Sequence, residues 1–251
     1  MAAPALVALA HGSRDARVTA TVTALVAEAK AQRPDLRIEK AYVEDATHRS
    51  KPGLAAVVER LVRAGHAEIV IVPLTLMDGG DDFAGLPETV AALGAAHPGL
   101  AIRTAAVLGH EACFLEVLDE RLRAALSQAR VRELDALVLA AVGSSDSLAN
   151  QSVARLGRLW GSHHRLPVTA AYASSAPPAT GEAVRAFRAE GRRHIAVAAL
   201  FLTPGDLTDR AAELAYEAGA IAVAEPLGAH PEVARTLLAR YAVGAVELVP
   251  V

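Results

Sequence analysis

The chain is written twice. Ala5-Leu6-Val7-Ala8-Leu9-Ala10-His11-Gly12-Ser13 returns as Ala136-Leu137-Val138-Leu139-Ala140-Ala141-Val142-Gly143-Ser144. Ala41-Tyr42-Val43-Glu44 returns as Ala171-Tyr172-Ala173-Ser174, and the run from Ile69 to Asp81 as that from Ile195 to Asp206. Val107-Leu108-Gly109-His110 returns as Pro226-Leu227-Gly228-Ala229. Four echoes in one order point to a tandem duplication, which has to be identified before any fold is assigned. With the joint near Ser127 to Leu134, the 251 residues divide into domains 1–130 and 131–251. Each is long enough to bury a core of its own.

Within each half, short apolar runs alternate with amphipathic stretches. Leu6–Ala10, Ile38–Val43, Glu68–Leu74 and Ala101–Val107 read as buried parallel strands. Ala16–Gln32, Leu54–Ala64, Leu86–Ala96 and Glu111–Ala129 read as helices, with Leu54, Val57, Val58, Leu61 and Val62 forming one apolar face. Gly65, Gly191 and Gly219 stand where helices should end. The expected fold is α/β, two tandem-duplicated parallel-sheet domains facing a central cleft. Ligands of such sheets bind beyond the carboxyl ends of the strands, so the residues after each strand carry the functional reading.

Three strand ends in the first half hold polar chemistry. His11-Gly12-Ser13-Arg14-Asp15 follows the first strand. There an imidazole can bind metal or move a proton, or simply bond to the turn, and Ser13 or Asp15 can cap the next helix. Glu44-Asp45 and Thr47-His48-Arg49-Ser50 follow the second. Adjacent acids can hold a cation or accept a proton, or merely be solvated. Ser174 replaces Glu44 in the second half, so the fold does not demand that acid. Asp78-Gly79-Gly80-Asp81-Asp82 follows the third, where glycines admit a ligand closely and Asp81 or Asp82 can cap a helix instead. Asp206 is expected to cap in the second half. His163-His164 is placed in a polar loop, where adjacent histidines can catch metal but need not. His110 ranks second to His11 as a site candidate, and Cys113 is expected to pack rather than react.

Composition excludes several functions. Aromatics at 4%, a net charge of −3 and a pI near 6.3 offer neither a base-stacking platform nor a phosphate-binding surface, so no nucleic-acid partner is expected. The single cysteine excludes an intrachain disulfide framework and fits a reducing compartment. The N-terminus reads as neither signal peptide nor membrane span, so a cytoplasmic protein without a membrane partner is expected. Walker A, GxGxxG, HExxH and GxSxG patterns are all missing from the sequence.

The AHGSRD turn after an N-terminal strand, the AYVE strand end, the VPL-x-L-x-x-G-x-D segment and the repeated Leu-Gly element together resemble the sirohydrochlorin chelatases. These are class II cobaltochelatases and ferrochelatases, here in their two-domain form, and the resemblance runs from about Leu6 to Tyr241. It implies insertion of Co²⁺ or Fe²⁺ into sirohydrochlorin or a related tetrapyrrole, in cobalamin or siroheme biosynthesis. No cofactor is implied beyond that divalent metal substrate, and one chain carrying both halves suffices as a monomer. The family's chemistry rests on two histidines, and His11 matches the one in the HGS turn. At the second position this sequence has Asp81, and the second half offers only Val142 and Asp206. The resemblance therefore implies a metal and catalytic set of His11, Asp81 and Glu44. Ser13, Arg14, Arg49, Gly79 and Gly80 stand on the substrate side, the arginines being suited to the substrate's carboxylates. Two other readings remain open: a tetrapyrrole- or metal-binding protein without insertion activity, and a different enzyme on the same fold.

Overall fold

The computed structural model describes residues 3–43, 52–77 and 83–248. In chain order its elements are β1 (Ala5–Ala10), α1 (Ala16–Gln32), β2 (Ile38–Tyr42), α2 (Leu54–Arg63), β3 (Glu68–Pro73), α3 (Leu86–Ala96), β4 (Ala101–Thr104) and α4 (Phe114–Gln128). The second series is β5 (Ala136–Ala141), α5 (Ser147–His164), β6 (Val168–Tyr172), α6 (Thr180–Ala189), β7 (Ile195–Leu200), α7 (Asp206–Glu217), β8 (Ala222–Val223) and α8 (Pro231–Val246). Strand and helix alternate throughout, and the strands form two parallel sheets, ordered β2-β1-β3-β4 and β6-β5-β7-β8. Among the described residues no helix is long and apolar enough to cross a membrane.

The uninterrupted apolar strands are explained by cover on both faces. Every residue of β1, β5 and β7 is buried, as expected for central parallel strands. In the first sheet Ala5, Val7, Leu9, Ile69 and Ile71 pack on Leu54, Val57, Val58 and Leu61 of α2 and on Leu86 and Leu93 of α3. Helices α1 and α8 are layered on β2, β3 and β4. In the second sheet the equivalent core joins Val138, Ala140, Val197 and Ala199 to Ala183, Val184 and Phe187 of α6 and Ala211 and Ala215 of α7. Helices α4 and α5 pack on the sheet as well.

The units of packing differ from the halves of the repeat by one helix each. The compact units are Met1–Gly109 with Ala229–Val251, and His110–Gly228. Helix α4 follows β4 in sequence but packs on β7 and β8, and α8 follows β8 but packs on β3, β4 and α1. The two halves have exchanged their last helices. Gly244 shows how closely α8 is fitted, since a Cβ there would come within 2.8 Å of Val70 Cγ1. The chain passes between units just after the repeated Leu-Gly element. Leu108 and Leu227 are fully buried, and their amides bond to the carbonyls of Thr75 and Phe201 at 3.0 and 2.9 Å. Gly109 and Gly228 follow with φ of 79° and 67°, a region that favours glycine.

Two expectations are corrected. His163 and His164 are the last residues of α5, not part of a loop. Gly161, which suggests a break in the sequence, is a packing residue: a Cβ there would meet the carbonyl oxygen of Leu166 at 2.8 Å. Asp206 is the first residue of α7, whose N-cap is Gly205.

Candidate active site

In the first unit β1 lies between β2 and β3, and the connections leaving β1 and β3 run to opposite sides of it. That reversal opens a crevice at the carboxyl edge of an α/β sheet. His11 is the first residue past β1 at this edge, and it is exposed.

The turn beneath it is a local construction that both units share. The Asp15 amide donates to Ser13 Oγ at 3.1 Å, and the Arg17 amide donates to Asp15 Oδ1 at 2.8 Å, which caps α1. In the second unit the Asp146 amide donates to Ser144 Oγ at 3.0 Å and the Leu148 amide to Asp146 Oδ1 at 2.9 Å, capping α5. The side-chain bond from Arg17, then its amide, hold the Asp15 carboxyl below the usual aspartate range, so it stays ionised. Ser13 and Asp15 thus have structural duties in the turn. His11 has no counterpart of its kind, because Val142 fills that place and packs against the second core. The second unit's turn folds with valine at that place, so the turn itself does not require a histidine. Arg14 is exposed at the same edge.

The candidates Glu44, Arg49, Gly79, Gly80 and Asp81 lie outside the described residues, but the ends of their segments are fixed. Val43, just before Glu44, donates its amide to the Ala10 carbonyl at 3.0 Å, and the chain is pinned again where the Tyr42 amide meets the Pro52 carbonyl at 3.0 Å. On the other side of β1 the Leu74 amide bonds to the Leu9 carbonyl at 2.7 Å. The two acidic segments therefore start from strands on either side of the strand that ends at His11. Both are longer than their copies. The path from Tyr42 to Pro52 exceeds that from Tyr172 to Pro178 by four residues, and the path from Thr75 to α3 exceeds that from Phe201 to α7 by six. The N-cap of α3 is Gly85, which brings no side-chain bond to the helix end.

The remaining candidates sit in the second unit. His110 Nδ1 lies 3.1 Å from Ser152 Oγ, and burial lowers its pKa from the ordinary histidine value. Asp119, His163 and His164 bring three potential metal-ligand atoms within 4.8 Å of one another. The histidine pair was visible in the sequence, but Asp119 carries no local signal of its part in the group.

The CbiX family model matches residues 5–125 and, a second time, residues 136–243. The chain belongs to the CbiX family. The gap between the matches falls where the repeat places its joint, and the family is that of the sirohydrochlorin chelatases whose motifs the sequence resembles. Among solved structures this CbiX-family chain is similar to SirB from Bacillus subtilis with Fe³⁺, at 20% identity and a TM-score of 0.79, covering 98% of this chain and 96% of that one. It is also similar to sirohydrochlorin chelatase SirB from Bacillus subtilis subspecies spizizenii in complex with cobalt, at 18% identity and a TM-score of 0.77, with the same coverages of 98% and 96%. CbiX, the terminal enzyme for biosynthesis of siroheme in denitrifying bacteria, aligns at 18% identity and a TM-score of 0.68 over 95% of this chain and 98% of that one. These likenesses establish the two-sheet chelatase fold. No curated protein sequence matches the chain.

Proposed function

We propose that the protein inserts a divalent metal, Co²⁺ or Fe²⁺, into sirohydrochlorin or a related tetrapyrrole, in cobalamin or siroheme biosynthesis. The observation that carries this reading is His11, exposed at the carboxyl edge of β1 on a turn whose copy dispenses with histidine. In this reading His11 is metal ligand and base, with Asp81 and Glu44 as carboxylate donors. Imidazole with carboxylates can hold Co²⁺ or Fe²⁺, and water-exchangeable positions let the pyrrole nitrogens displace protein ligands. The step is redox-neutral: the metal enters as the dication, and two inner N–H protons leave through His11 to solvent. Arg14 and Arg49 would meet substrate carboxylates through paired hydrogen bonds, and the Gly79-Gly80 backbone would let the macrocycle approach. Ser13 would serve by holding the turn. The protein would act as a monomer in a reducing cytoplasm, which the single cysteine suits.

One observation favours a second reading. Asp81 stands where the family has its other histidine, and a carboxylate is a weaker base than imidazole unless burial or a neighbouring charge raises its pKa. A tetrapyrrole- or metal-binding protein without insertion activity would tolerate that change. An anaerobic absorbance time course of sirohydrochlorin with Co²⁺, then Fe²⁺, separates the two. Acceleration over the protein-free control that collapses in His11→Ala and falls in Asp81→Ala supports insertion. A spectral shift on binding at the control rate supports the binding protein, and no shift at all removes the tetrapyrrole from both readings.

A further inference from the structure

The second unit holds a constellation that the chelatase reading does not use. Asp119 lies in α4, and His163 and His164 close α5, so two helices packed on one sheet supply its members. Asp119 Oδ1 accepts the indole N–H of Trp160 at 2.7 Å and lies 2.7 Å from His164 Nε2. Trp160 is fully buried, so the carboxylate is oriented from beneath by a fixed donor, as ligating carboxylates commonly are. His163 is exposed and meets the His164 ring edge-on, with centroids 5.0 Å apart. The side chains of His164 and Asp119 keep 29% and 18% of their exposure, so an ion can reach them from solvent.

We propose that Asp119, His163 and His164 bind a late first-row divalent cation (Co²⁺, Ni²⁺ or Zn²⁺) that ties α4 to the end of α5. Two imidazoles and one carboxylate suit these ions, whereas Ca²⁺ and Mg²⁺ take oxygen ligands. Metal–ligand bonds of about 2.0–2.2 Å set donors roughly 3.4 Å apart around a tetrahedral ion. The three ligand atoms already lie within 4.8 Å of one another. The His164–Asp119 pair, now at 2.7 Å, must open as the ion replaces the proton between them. Water completes the coordination. The competing use of these groups is a His164–Asp119 hydrogen bond between helices, with histidines favourable at a helix C-terminus. The His164–Asp119 hydrogen bond does not engage His163, which makes His163 the deciding residue.

Trp160 is the chain's single tryptophan, and its ring centroid lies 5.5 Å from that of His164, so it reports on the site directly. Full-length protein stripped of metal is titrated with Ni²⁺ and with Co²⁺, open-shell ions that quench a nearby indole. Saturable quenching is expected in the wild type, reversed by competing Zn²⁺ and unchanged in His11→Ala. In His163→Ala the ion should bind roughly 10-fold more weakly or worse. Zn²⁺ should raise the melting temperature of the wild type and leave that of His163→Ala unmoved. Quenching and melting shift equal in wild type and His163→Ala would overturn the proposal. So would quenching lost in His11→Ala, or no quenching by either ion. His163→Ala changes an exposed side chain that does not bond to Asp119, so it should fold normally, and its tetrapyrrole chemistry should stay intact.

Discussion

Arg240 of α8 donates its Nε–H to the carbonyl oxygen of Val107 at 2.8 Å, in the segment where the chain leaves the first unit. Its Nη2 reaches the Leu108 carbonyl at 2.9 Å. In the second unit Arg121 of α4 makes the matching bond, Nη2 to the Leu227 carbonyl at 3.0 Å. Each exchanged helix thus fastens the Leu-Gly segment of the unit it joins.

These bonds predict an order of stabilities. Arg240→Met keeps the aliphatic stem but strands two carbonyls, and should cost about 2–3 kcal/mol. Arg121→Met strands one carbonyl and also removes Nε, which is buried and meets no partner among the described residues, so its cost should be smaller, about 1 kcal/mol. Urea unfolding of both variants checks the order. Equal costs would mean that the clamps are not what holds these segments.

His11→Val copies the residue of the second unit into the first. Because the second unit's turn already folds around Val142, the unfolding free energy should stay within the range of ordinary surface substitutions, about 0.5 kcal/mol. Under the proposed function, in which His11 is the base, metal insertion should fall on the order of 10²-fold or more. A large loss of stability would give His11 a structural duty that the repeat argues against.

His110 gives a pH test with a definite sign. Burial lowers its pKa in the folded protein below the ordinary 6.5, so the unfolded chain binds more protons in the interval between the two values. Stability conferred by the neutral form is complete above 6.5 and declines as pH falls through that interval. In His110→Gln the decline should be shallower, as urea midpoints taken above and below 6.5 will reveal. Parallel pH profiles would exclude His110 as the source.

Asp135 predicts the acid limb. Its Oδ2 accepts the amides of Arg193 and His194, both at 2.8 Å, just before β7. The His194 amide, then the Arg193 amide, lower its pKa from 3.8, so the stability it contributes is present above 3.8 and lost as pH falls through the lowered folded value. Asp135→Asn should be less stable at neutral pH and lose less on acidification, measurable by thermal melts across that range.

Much of the fold was legible because local pattern and tertiary burial agree. The limits read for α1 and α3, Ala16–Gln32 and Leu86–Ala96, are those observed, and Gly65, Gly191 and Gly219 carry the positive φ expected past a helix end. The exchange of α4 and α8 was not legible. An amphipathic face says that a helix is buried, not which sheet buries it, and the two sheets are near copies. His163 and His164 were read into a loop because Gly161 looks like a breaker, and only the Leu166 carbonyl beside it shows why a small residue is needed there. His11 could be found from the repeat by comparison with Val142. The partnership of Asp119 with His164 spans two helices and has no sequence period to betray it.

The exchanged helices also set a timetable. The residues His110–Gly228 form one continuous stretch, so the second unit is complete as soon as that stretch has left the ribosome. The first unit is begun earlier and finished later: β1, β3 and α1 are made before that stretch, and α8, which packs on α1 and β3, is made after it. The candidate active site thus belongs to the unit whose synthesis brackets that of the other, and a nascent chain released before α8 is made would carry His11 on a sheet still missing one of its covering helices.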